Sequence, residues 1–72
     1  MANLEDIDFE SLHRFLMDVF MPIDAARWSD MENLLKMRGI IDPGNVIETM
    51  GDLGLVEYYL EDMTFFVKVK YV

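Results

Sequence analysis

The chain reads as one α+β domain, three helices followed by a C-terminal β-hairpin, and three observations predict this. Apolar residues recur every three or four positions from Phe9 to Phe20, Asp42-Pro43 and Gly54 bracket a second periodic stretch, and beyond Gly54 the period changes from helical to alternating. At 72 residues there is room for one core only, so residues 1–72 are expected to form a single small domain.

Helix 1 is predicted to run to about Phe20. Phe9, Leu12, Phe15, Leu16, Val19 and Phe20 share a face, Met17 and Met21 widen it, and Pro22 limits it. Its three phenylalanines are expected in the core. Glu5, Asp6 and Asp8 precede it, where negative charge suits the positive end of a helix dipole. Pro22 to Trp28 reads as a connector with a short helical or extended piece. Ser29-Asp30-Met31-Glu32 has the form of a capping box, so helix 2 is expected from there to about Arg38, with Met31, Leu34 and Leu35 inward. Lys36 and Arg38 suit its negative end, and Gly39 stops it.

Helix 3 is the best-punctuated element. Asp42 is a good N-cap, Pro43 fits the first turn, and Gly54 supplies a left-handed stop. Val46, Ile47, Met50 and Leu53 fall on one face, and Ile41 stands where it can staple onto Val46. The opposite face carries Gly44, Asn45, Glu48, Thr49 and Asp52, with no positive charge. After it, Leu55 to Glu61 is rich in strand formers and Phe65 to Val72 alternates, with the polar break Glu61-Asp62-Met63-Thr64 between them. Glu57 and Glu61 are expected to face Lys68 and Lys70 across the hairpin.

Composition narrows the function classes. Fourteen acidic residues against six basic ones give a net charge of -8, so the chain repels nucleic acid and anionic membranes at long range. Simple solubility is the plainer reading of that charge, and docking on a basic protein surface the sharper one. The absence of cysteine excludes disulfides and thiolate metal sites, and is compatible with a reducing compartment. No apolar run approaches the ~20 residues of a bilayer span, so a soluble, cytoplasmic protein without membrane contact is expected. An enzyme is not expected, nor a cofactor, a metal or an identifiable small-molecule ligand. His13 is the one histidine, placed on the apparent solvent side of helix 1, and no glycine-rich phosphate loop follows a strand. Gly51 and Gly54 are read as relaxing and ending helix 3.

Two stretches carry a family resemblance. Gly39-Ile40-Ile41-Asp42-Pro43-Gly44-Asn45-Val46 is similar to the turn leading into a recognition helix, and Met50-Gly51-Asp52-Leu53-Gly54-Leu55-Val56-Glu57 to the junction between that helix and a wing. With the order of elements, the chain resembles the winged helix-turn-helix superfamily, in particular small bacterial and archaeal regulators, over roughly Ser29 to Tyr71. The resemblance implies a third helix that enters the DNA major groove and a wing whose tip often carries a basic residue. The matching positions here are Gly44, Asn45, Glu48, Thr49 and Asp52 on helix 3 and the wing tip Glu61-Asp62-Met63-Thr64, and the six taken as partner-binding are Asn45, Glu48, Thr49, Asp52, Glu61 and Asp62. Carboxylates there have the wrong sign for phosphate.

The expected function is therefore a protein-interaction or regulatory module that uses those six residues, with a protein partner or a homodimer. Phe66 and Val72, on the outer hairpin face, form the candidate dimer surface. The alternatives are a DNA-binding transcription regulator of the winged-helix type and an acidic DNA mimic.

Overall fold

A computed structural model describes residues 4–20 and 25–71. Met21, Pro22 and Val72, which the sequence reading assigned to the end of helix 1 and to the dimer surface, lie outside the described residues. After a single 3-10 turn at Leu4–Asp6, the elements are α1 (Phe9–Phe20), β1 (Ala25–Arg27), α2 (Trp28–Met37), α3 (Pro43–Asp52), β2 (Val56–Glu61) and β3 (Thr64–Val69). The fold is thus α+β, three helices with a three-stranded antiparallel sheet of order β1-β3-β2, a layout compatible with a winged helix.

The strands are not all C-terminal. β1 comes between α1 and α2 and pairs with β3, Ala26 opposite Val67 and Arg27 opposite Phe66. Three residues are too few to show alternation, so a strand made by its partner rather than by its own pattern read as a connector. It also displaces the predicted start of helix 2. Pairing keeps Arg27 extended (φ -63°, ψ 146°), the helix begins at Trp28, and no side chain caps it. Ser29 therefore sits within the first turn, and the expected capping box does not form.

Both later helices end in the same way. In α2, Gly39 (φ 86°) donates to Lys36 O and Ile40 N to Leu35 O. In α3, Gly54 (φ 77°) donates to Gly51 O and Leu55 N to Met50 O. These are two Schellman motifs, each of which folds the residue after glycine back onto the helix. Ile40 is accordingly buried, whereas Ile41 stays 54% exposed and does not act as a staple. Leu55 packs against the core, and Leu53, expected inside, is the C-cap residue and 56% exposed. Leu53 keeps a helical backbone and donates to Thr49 O, but the Schellman turn folds Leu55 back onto Met50, and Leu55, not Leu53, packs on the core.

The core consists of Leu12 and Leu16 of α1, Met31 and Leu35 of α2, Ile40 of the link that follows it, Val46, Ile47 and Met50 of α3, and Val56, Val67 and Val69 of the sheet. On α1 the centre of the buried stripe is Leu12, His13 and Leu16, so Phe9, Phe15 and Phe20 flank the core half-buried rather than filling it, and Val19 is exposed. Phe15 instead carries the Arg38 guanidinium over its ring at 4.0 Å, a cation–π contact.

His13 is not on the solvent side. It is 5% exposed, and its Nε2 lies 2.6 Å from Lys70 O. A carbonyl only accepts, so Nε2–H donates, and the histidine ties α1 to the residue just past β3. One position round a helix separates this buried place from the solvent face that the sequence reading gave it.

The hairpin turn is tighter than predicted. Glu61 pairs with Thr64, which leaves only Asp62 and Met63 in the loop, both at positive φ (49° and 63°) as a type I′ turn requires. Glu61 consequently faces no lysine. Glu57 does: it stands opposite Lys68 and makes a 3.8 Å ion pair with Lys70.

Candidate interaction surface

Asp42 builds the start of α3 and engages one of the candidate residues in doing so. Its carboxylate accepts from Asn45 N (3.5 Å) and from Asn45 Nδ2 (2.6 Å). One turn on, the Thr49 hydroxyl donates to Asn45 O at 2.8 Å. The polar groups of Asn45 and Thr49 are thus directed to their own helix, which leaves Glu48 and Asp52 as its outward-facing polar groups. At the hairpin tip Glu61 and Asp62 are exposed as well. The ion pairs among the described residues are Arg14 with Glu10 and Lys70 with Glu57, and neither involves these four carboxylates.

The structure brings Glu48 together with the hairpin, in an open cleft of about 520 Å³ between α2, α3 and the turn. Glu48 lines it beside Met63 and Thr64 of the hairpin end and Ser29 of α2, whereas Asn45, Thr49, Asp52, Glu61 and Asp62 stand outside the lining.

The walls of this cleft are aromatic, which the sequence reading missed. Trp28 meets Tyr58 edge-to-face (centroids 5.5 Å, planes at 89°) and Phe65 at 6.3 Å and 63°. The three come from the start of α2 and from both hairpin strands. Tyr58 and Phe65 lie on the sheet face that carries Val56, Val67 and Val69, Tyr58 opposite Val67 on the edge strand and Phe65 one row nearer the turn. One sequence signal pointed here, Gly51 inside a helix. A Cβ at Gly51 would lie 2.6 Å from Tyr58 Cε1, so the glycine makes room for the ring; ending the helix falls to Gly54.

Positive charge collects on the other side of the sheet. Pairing puts Ala25, Glu57 and Lys68 in one row and Arg27, Tyr59 and Phe66 in the next. Phe66, a candidate dimer residue, is half-buried there and stacked on Tyr59 at 5.7 Å with planes 19° apart. β2 is an edge strand whose side chains are exposed from Glu57 to Glu61. No helix among the described residues is long and apolar enough to cross a membrane. Compared with models of known protein families, with curated proteins and with solved structures, the chain matches none.

Proposed function

We propose that this chain is a winged-helix domain that works as an acidic protein-interaction module, with the outer face of α3 and the hairpin tip turned toward a basic protein partner. The element order, with β1 joined to the hairpin in one sheet, supports the winged-helix reading. One observation carries the functional reading. Glu48, Asp52, Glu61 and Asp62 occupy both elements that a DNA-binding relative would present to the duplex, and no lysine or arginine stands among them. Affinity for DNA rests largely on displacing counterions from phosphates with basic side chains, and four carboxylates oppose that.

Light-scattering mass of the protein with mixed duplex DNA at low salt tests this. The expected result is no complex with DNA, and a salt-sensitive complex with a basic protein. A DNA-bound species would overturn the reading and move the contact to the outer sheet face, where Arg27, Lys68 and Lys70 lie.

The open β2 edge favours a second reading, in which the partner is another copy of the chain. A mass of about twice 8.5 kDa that Phe66→Lys returns to the monomer supports it. A dimer that persists places the interface elsewhere.

A further inference from the structure

We infer that the cleft between Trp28, Tyr58, Phe65 and Glu48 is a receptor for an arginine side chain of the partner protein. This rests on the module reading above and names the group that reading would recognise. Three aromatic rings from three elements surround an open volume of about 520 Å³, and among the described residues the one charged side chain lining it is the Glu48 carboxylate. Ring faces attract a cation through their quadrupole, and a carboxylate at the rim adds a charge-assisted hydrogen bond. The Ser29 and Thr64 hydroxyls at the margin accept further N–H groups.

Arginine fits this chemistry better than lysine. Its planar guanidinium stacks on aromatic faces, offers a paired donor edge to a carboxylate and is less strongly hydrated than an ammonium. A purely apolar occupant would leave Glu48 without a partner. An anionic one would meet a carboxylate in a domain of net charge -8. Met63, 96% exposed at the lip, adds a flexible apolar side chain that can cover the aliphatic stem of the arginine.

Trp28 is the one tryptophan of the chain, so its indole reports on the cleft without labelling. The test titrates the folded protein with the peptide Gly-Gly-Arg-Gly-Gly and with its citrulline counterpart, which keeps the shape and loses the charge. Both tryptophan fluorescence and amide NMR shifts are read. The expected result is a saturable change at the Trp28 indole with the arginine peptide, weakened roughly tenfold by Glu48→Gln, by Phe65→Ala or by citrulline. Equal binding of the citrulline peptide would overturn the inference, as would an unmoved Trp28 signal. Should the arginine peptide shift Asp52, Glu61 and Asp62 while Trp28 stays still, the acidic-module reading stands and the cleft assignment falls. Both exchanged side chains are exposed, so the variants are expected to fold, and an unchanged thermal melt verifies it.

Discussion

The two ends of the hairpin share one sheet face and one alternation, yet they differ completely in burial. At the open end Val56 and Val69 are at most 2% exposed, while at the turn end Leu60 and Phe65, on the same face, are 59% and 51% exposed; in the row between, Val67 of the central strand is buried and Tyr58, opposite it on the edge strand, is 42% exposed. The difference is cover. The helices roof the first half of the hairpin and stop, so its second half projects with apolar side chains that the helices leave uncovered. Alternation in a sequence reports which side a residue faces; how far the roof extends depends on helices elsewhere in the chain.

The sharpest way to break that contrast is a matched pair of truncations. Leu35→Ala, at a site with 0% exposure, is expected to cost about 2–5 kcal/mol and to unfold much of the population, whereas Leu53→Ala, at 56%, should stay within about 0.5 kcal/mol. Urea melts measure both, and a large loss at Leu53 would mean that its end of α3 is covered after all. Next is the latch at the roofed end. His13→Ala removes a buried donor and leaves Lys70 O without it, for an expected loss of about 1–3 kcal/mol.

At the uncovered end the expected effects are smaller and one has the opposite sign. Met63 holds φ 63° with its side chain in solvent, so Met63→Gly relieves backbone strain at no packing loss and should raise stability by about 0.5–1 kcal/mol. An unchanged or lower midpoint would show that Met63 makes contacts that matter. Gly51→Ala gains about 1 kcal/mol of helix propensity but displaces Tyr58 from Trp28, a pair worth about 0.5–1.5 kcal/mol. The two nearly cancel. The melt should barely move, while the Tyr58–Trp28 cross-relaxation disappears from the NMR spectrum.

The weakest effect depends on pH. The Ser11 hydroxyl and then the Ser11 amide donate to Asp8 and hold its carboxyl below its ordinary value of 3.8. A depressed folded pKa contributes stability above the ordinary value and loses it as pH falls through the folded one. The melting difference between wild type and Asp8→Asn is therefore expected at neutral pH and should vanish below the carboxylate range, with the hairpin end unaffected.

Local rules served where a residue and its partner lie close in sequence. Asp42, Pro43, Gly39 and Gly54 punctuate α3 and its approach as their chemistry predicts, and the period change after Gly54 found the hairpin. The errors share a cause at longer range. β1 exists because residues 66–68 hold it, His13 is buried because Lys70 O waits beneath it, and Trp28 acquires its place from Tyr58 and Phe65. None of those partners is within reach of a window sliding along the chain. Leu53 and Ile41 are a different failure: the Schellman turns swap which neighbour faces in, a detail finer than hydrophobic spacing resolves. Of the candidate residues, Glu48 was legible as a carboxylate on a helix face without positive charge, but its aromatic company was not.

β3 is both the central strand and the final element in chain order, and it alone pairs with β1 and with β2 while packing on α1 and α2. On a ribosome, the helices would emerge before the element that gives them a common surface. Loops as long as the 57-residue span from His13 to Lys70 close only when that strand arrives. Such distant contacts slow folding relative to a helical bundle of similar size. The apolar faces that wait for β3 are, during that interval, those that a chaperone would bind.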